Sequence, residues 1–182
     1  AVTSITLLSL RNLDVAAARI DELRHEMPKI ATETPIFQPI HMRQHPETIP
    51  RLVMLRLLKQ VPYIVGKCDN ADMRALLRRH LTTGDYDVVY LGSLGMATYL
   101  DDVRRYAPRA RVVLEQHNVE WEIFDRLADS FGQRMRSVVR WEARSVKRYE
   151  ARIMPKMDAV IAISQTDARA FKALSGVDAI TI

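Results

Sequence analysis

The densest group of polar side chains in the sequence lies between Glu115 and Glu120, where a strand-like run gives way to a helical one. It contains one histidine, two carboxylates and two amides. An imidazole at such a turn can position or polarise a hydroxyl or a phosphate, and a helix N-terminus favours bound anions. The alternative is structural: Asn118 would be the N-cap of the helix, and His117 a turn residue hydrogen-bonded to the backbone.

Two further strand-like runs end in small or polar residues, one at Gly92 and Ser93 and the other at Ser164. The segment 92–95 is too poor in glycine for a dinucleotide fingerprint, so it predicts a close backbone approach to a ligand or a helix. Ser164 can contact a ligand through its hydroxyl, or else Ser164 or Thr166 caps the next helix. No Gly-x-Ser-x-Gly elbow surrounds Ser164, which argues against a hydrolase triad.

Several other functional classes are excluded by composition and motif. The five histidines share no metal-ligand spacing, and the sequence contains no Walker-type loop, so neither a metal nor a cofactor is predicted. The single cysteine excludes a disulfide within the chain and is compatible with a reducing compartment. No apolar run approaches the roughly 18 to 20 residues that a membrane-spanning helix needs.

The positive charge is concentrated in one segment. The 182 residues carry a net charge of +5, but residues 133–156 alone contribute +6 and the remainder −1. Three interpretations are open: a solvated helix face, a surface for anionic membranes, or a nucleic-acid interface. The last is disfavoured, and no nucleic-acid partner is predicted, because no aromatic platform or helix-turn-helix pattern accompanies the charge. The basic stripe consists of Arg136, Arg140, Arg144, Lys147 and Arg148.

The same segment also shows helical periodicity in its apolar residues. Met135, Val139, Val146, Tyr149 and Ile153 recur at steps of three, four and seven residues, which predicts a stripe that faces the core. The basic stripe runs beside it toward solvent.

Strand-like and helical runs alternate along most of the chain. Strands are predicted at 2–10, 34–40, 87–91, 111–115, 159–163 and from 177, and helices at 14–27, 49–58, 69–81, 94–106, 119–154 with a break near 130–132, and 166–174. Such alternation indicates a single α/β domain with a doubly wound parallel sheet. Ligands of these sheets bind beyond the carboxyl ends of the strands. The three polar strand ends are therefore the candidate site.

Read in order, six blocks of the sequence resemble the N-terminal half of a retaining GT-B-type glycosyltransferase, of the family 4-like kind that builds bacterial surface glycans and glycolipids. Their order and spacing are more specific than any one of them. The blocks are residues 5–10, 61–63, 86–89, 115–122, 148–150 and 157–168.

The resemblance implies that residues 1–182 form one Rossmann-like acceptor-binding domain. The family's opening strand with its Gly-rich loop, and its C-terminal nucleotide-sugar domain, would lie outside this chain, which alone is expected to be inactive. His117 would be the catalytic residue at the floor of the cleft. The acceptor-binding residues would be Asn118, Glu120, Gly92, Ser93 and Ser164.

The reaction implied is transfer of a hexosyl group from a nucleotide-sugar to a hydroxyl of a glycan or lipid-linked acceptor, with retention. The resemblance also favours a cytoplasmic protein, peripheral on the inner face of the membrane, docked through the basic stripe. Two alternatives remain: a noncatalytic doubly wound module that binds a ligand or partner, and a sugar-nucleotide epimerase. A carboxylate pair for the nucleotide-sugar in the missing domain would favour the transferase.

Overall fold

A computed structural model describes residues 5–6, 8–12, 36–40 and 60–182. The predicted helices at 14–27 and 49–58 lie outside the described residues. Of the early strands, β1 (Leu8–Asn12) pairs in parallel with β2 (Ile36–Ile40), and both fall on or beside the predicted runs.

The larger sheet has four parallel strands that lie side by side in chain order. They are β3 (Val88–Leu91), β4 (Arg111–Gln116), β5 (Ala159–Ala162) and β6 (Ile180–Thr181). Along β4 every second side chain is buried, because successive side chains point to opposite faces of the sheet and one face packs against the core. The predicted α/β class with a parallel, Rossmann-like sheet is confirmed.

The helices lie close to the predicted positions, except for the short helix Tyr63–Gly66, which was not predicted. They are α1 (Tyr63–Gly66), α2 (Ala71–Thr83), α3 (Leu100–Tyr106), α4 (Glu120–Ala128), α5 (Gln133–Ile153) and α6 (Gln165–Ser175). The predicted break near 130–132 is confirmed as the link between α4 and α5. The region after β3 begins as a 3-10 helix, Leu94–Tyr99, before it continues as α3.

The second half of α5 packs into the core, as predicted. Val146, Tyr149 and Ile153 are buried there. The prediction is wrong for Met135, whose side chain is 52% exposed, and Val139 is only half-buried. Among the described residues α4 is the main neighbour of α5, so the first turns of α5 form a hairpin with α4 that extends beyond the core.

Candidate functional site

The register of the larger sheet brings the three predicted strand ends together. Leu91 pairs with Leu114, so the loop that begins at Gly92 starts beside Glu115. Gln116 pairs with Ala162, so the chain that leads to Ser164 leaves β5 beside His117. The candidate residues therefore share the carboxyl edge of the sheet, where ligands of parallel sheets bind.

A carboxylate lies beside the imidazole of His117. Nε2 of His117 is 3.5 Å from Oε2 of Glu115, while the His117 side chain itself is 55% exposed. Tyr90 faces the same carboxylate and is 51% exposed; its partial burial and its interaction with Glu115 raise the pKa of Tyr90 to about 12. Glu115 thus lies beside both side chains. Sequence reasoning did not single out Tyr90, which becomes a neighbour only through the pairing of β3 with β4.

The turn that carries His117 is held at both ends by one carboxylate oxygen. Oε1 of Glu150, on α5, accepts hydrogen bonds from Nε2 of Gln116 at 3.2 Å and from the backbone N–H of Glu120 at 3.1 Å. Both side chains of the first pair are buried. The N-cap of α4 is Val119, which makes no side-chain capping bond. The alternative that Asn118 caps this helix is therefore wrong, because the cap comes from Glu150.

Glu150 is an unusual carboxyl group. Burial, with a smaller contribution from the charge of Glu120, raises its pKa to about 8, although hydrogen bonds from the first turn of α4 and from Gln116 act in the opposite direction. Its Oε2 is buried and has no hydrogen-bond partner among the described residues. The sequence block 148–150 belongs to the resemblance, but it gave Glu150 no role.

Glu120 is half-buried and lies within electrostatic range of Lys67 and His117. Burial raises the pKa of Glu120, while the charges of Lys67 and His117 lower it. Lys67 follows α1, in a segment tied down by Tyr99, whose hydroxyl donates to the carbonyl of Cys68 at 2.7 Å and accepts from the N–H of Asn70 at 3.1 Å. Lys67 is a site residue that sequence reasoning missed.

The loop after β3 makes a close backbone approach at one of its two glycines, toward a segment that follows a helix. A Cβ on Gly95 would lie 2.6 Å from Sγ of Cys68, so Gly95 lets the 3-10 helix approach the segment after α1. Gly92 is exposed and a Cβ there would meet nothing within 4 Å. Ser93 is half-buried and precedes the 3-10 helix without a side-chain capping bond.

Ser164 caps the helix that follows β5. Its Oγ accepts from the N–H of Asp167 at 3.1 Å and donates to Oδ2 of the same residue at 2.5 Å. The alternative that Ser164 is the N-cap of α6 is confirmed. Its contact with a ligand stays a prediction.

The basic stripe lies on α5, where four of its five residues are exposed and Arg136 is half-buried. Arg140 pairs with Asp129 at 2.9 Å, and Nζ of Lys147 lies 3.8 Å from the ring centre of Trp121. Large apolar side chains are exposed on the same α4–α5 hairpin: Leu127, Phe131, Met135, Val138 and Trp141.

Other features of the described chain are less informative. Residues 60–182 and the short described stretches before them hold no cluster of three or more His, Cys, Asp or Glu suited to a metal. None of their helices combines the length and apolar character needed to cross a bilayer. A cavity of about 160 Å³ lies at the opposite edge of the sheet, between Tyr86 and Tyr106.

The chain was compared with known proteins. The family model of Glycosyltransferase Family 4 matches residues 18–182, which include all four strands of the larger sheet and every candidate site residue. Comparisons with curated proteins and with solved structures gave no significant match. Because the family match spans well over half of the sequence, the chain belongs to Glycosyltransferase Family 4 and carries a glycosyltransferase-type domain.

Proposed function

We propose that this chain is the acceptor-binding domain of an enzyme that transfers a hexosyl group from a nucleotide-sugar to a hydroxyl acceptor, with retention, in surface glycan or glycolipid synthesis. The observation that carries the proposal is the group formed by Tyr90, Glu115 and His117 at the carboxyl edge of the sheet. On this proposal the nucleotide-sugar binds to a second domain outside residues 1–182. Family membership supports the reaction class.

In such a transfer a bond forms between the acceptor oxygen and the anomeric carbon while the bond from that carbon to the diphosphate breaks, and the proton of the acceptor hydroxyl passes to the departing diphosphate. The departing diphosphate takes up the developing negative charge, so the protein chiefly positions the reactants and stabilises that charge. The imidazole of His117, which lies next to Glu115, hydrogen-bonds either the acceptor or a hydroxyl of the transferred sugar. The residues proposed to bind the acceptor around it are Asn118, Glu120, Gly92, Ser93 and Ser164.

The test is kinetic, in the full-length protein that contains this chain. We expect His117→Ala to lower kcat/KM by about 10²-fold, the usual size for loss of a positioned acid–base or hydrogen-bonding group. His117→Gln, which keeps a hydrogen-bonding side chain, serves as the matched variant and should lose less. NMR of the product shows whether the anomeric configuration is retained.

Three results would count against the proposal. An unchanged kcat/KM in His117→Ala would remove the role of the imidazole. Turnover of a nucleotide-sugar by residues 1–182 alone would contradict the division into two domains. A nucleotide-sugar epimerised without an acceptor would favour the epimerase.

We also propose that the basic stripe docks the protein on the anionic cytoplasmic face of a membrane, where a lipid-linked acceptor would be found. The specific observation in favour is the set of exposed apolar side chains on the same hairpin, such as Phe131 and Met135. Apolar groups that insert at the interface, combined with cations that attract anionic lipid, are the two components of such binding.

Vesicle co-sedimentation tests this docking. We expect the wild type to bind phosphatidylcholine vesicles only when they contain phosphatidylglycerol, and the triple variant Arg140→Glu, Arg144→Glu, Arg148→Glu to lose that binding. The matched control makes the same change of charge at exposed arginines elsewhere: Arg79→Glu, Arg109→Glu, Arg169→Glu. Equal binding by the two triple variants, or equal binding to neutral vesicles, would rule out the basic stripe as the docking surface.

A further inference from the structure

Glu150 connects three elements next to the proposed site. It lies on α5, and its Oε1 receives one hydrogen bond from the last residue of β4 and another from the first residue of α4. Between these two donors lies a turn of only three residues, 117–119. The side chain of Glu150 is fully buried, so the carboxyl group reaches the turn from behind.

This arrangement leaves the exposed face of the turn to other uses. His117 and Asn118 are both exposed, and neither makes the capping bond of α4. Val119, the N-cap, is buried and anchors the turn from inside. A turn held by a strand, a helix and a buried side chain has little freedom, which is what a substrate-positioning group requires.

We propose that Glu150 is a positioning residue for glycosyl transfer, which fixes the 117–119 turn so that His117 and Asn118 face the acceptor. This rests on the function proposed above. Glu150 itself does not touch substrate. It acts through the two donors, Gln116 and Glu120, that bracket the turn.

Two variants separate the effect of the hydrogen-bond-accepting oxygen of Glu150 from the effect of its side-chain volume. Glu150→Gln keeps an oxygen that can accept from both donors, and its neutral amide resembles the protonated carboxyl. Glu150→Leu has a similar volume but no acceptor, so both buried donors lose their partner. If the Leu variant does not fold, Glu150→Asp replaces it, because the shorter side chain withdraws the oxygen from the turn.

The first measurement is NMR of this chain, with the backbone amides and the His117 ring as probes. We expect the signals of residues 116–120 and of the ring to stay close to wild type in Glu150→Gln and to shift in Glu150→Leu. The amides of the Ser164–Asp167 turn, on the neighbouring strand, should be unchanged in both and thereby report an intact fold. Unshifted His117 and Asn118 signals in the Leu variant would overturn the proposal.

The second measurement is a double-mutant cycle in kcat/KM with the full-length protein. We expect Glu150→Leu alone to lower kcat/KM by about 10²-fold, because a misplacement of a positioning group by about 1 Å can have an effect of that size. In the His117→Ala background the same change should lower kcat/KM by no more than about tenfold, the part that acts through Asn118, because residues that act through each other are not additive. Glu150→Gln should restore activity to within about threefold of wild type.

An equal loss in both backgrounds would show that Glu150 does not act through His117 and would overturn the proposal. A wild-type protein without transfer activity would instead contradict the function proposed above. The NMR comparison would then decide by itself whether Glu150 holds the turn.

Discussion

Two neighbouring strands of the same sheet end in turns that are capped in opposite ways. After β5, Ser164 caps α6 within three residues of sequence, and its hydroxyl is bonded to Asp167 through both the backbone and the side chain. After β4, the first N–H of α4 is bonded by Glu150, which lies 30 residues further along the chain.

The difference shows how a strand end can be made available for chemistry. A local cap uses the polar side chain of the turn, as at Ser164. A cap from another helix satisfies the backbone from inside and leaves the polar side chains of the turn exposed, as at His117 and Asn118. Polar residues at the ends of adjacent parallel strands are therefore not equivalent, although the sequence presents them in the same way.

The largest expected effect comes from removing the ionisable cap. The pKa of Glu150 is about 8 in the folded protein against an ordinary value of 4.5, so the folded state binds its proton more tightly than the unfolded state. The free energy of unfolding of the wild type should therefore fall as pH rises through this window, by on the order of 3 kcal/mol. Glu150→Gln lacks this dependence. Urea unfolding at about pH 5 and about pH 9 should show that the free energy of unfolding of the variant increases relative to that of the wild type as pH rises.

Asp158→Asn is the control for this measurement, because its carboxyl has the opposite behaviour. The hydrogen bond from the Val112 N–H and the contact with Arg104 hold the pKa of Asp158 below its ordinary value. Its stabilisation is complete above that value and is lost only in acid, so this variant should shift stability without changing the slope between about pH 5 and about pH 9. Parallel curves for wild type and Glu150→Gln would contradict the capping role of a buried, protonated carboxyl.

A smaller effect is expected at the locally capped turn. Ser164→Ala removes the acceptor for the Asp167 N–H and should lower the free energy of unfolding by about 1 kcal/mol. Ser164→Thr keeps a hydroxyl and should retain most of the stability. Urea denaturation of the three proteins at one pH measures the difference. No loss in the Ala variant would remove the contrast between the two turns.

Much of the fold was predictable because its signals are local. Runs of apolar residues predicted the strands, and Ser164 was one of the two N-caps that the sequence offered for the helix after β5. The prediction that Met135 faces the core was wrong for a physical reason. Helical periodicity identifies a face, but it does not show how far along the helix a partner covers that face.

The site was predictable in part. The cluster around His117 is visible in the sequence, since its members are adjacent. Tyr90 and Lys67 could not be recognised from the sequence, because strand register and the packing of α1 bring them near His117. Glu150 did leave one signal: a carboxylate placed four residues after Val146 and three before Ile153 falls on the buried face of α5. A buried acid without a basic partner nearby calls for backbone donors, but the sequence does not identify which.

The smallest effect on stability is expected at Asn118, the residue that would have been the cap in a locally capped turn. Because Val119 is the N-cap and Glu150 bonds the Glu120 N–H, Asn118→Ala should change the free energy of unfolding by less than about 0.5 kcal/mol. If its amide instead contacts the acceptor, the same variant should raise the acceptor KM in the full-length protein by up to about tenfold, the worth of one hydrogen bond. Unfolding curves and acceptor titrations on one preparation separate these effects. A loss of stability as large as that of Ser164→Ala would mean that the turn after β4 is capped locally after all.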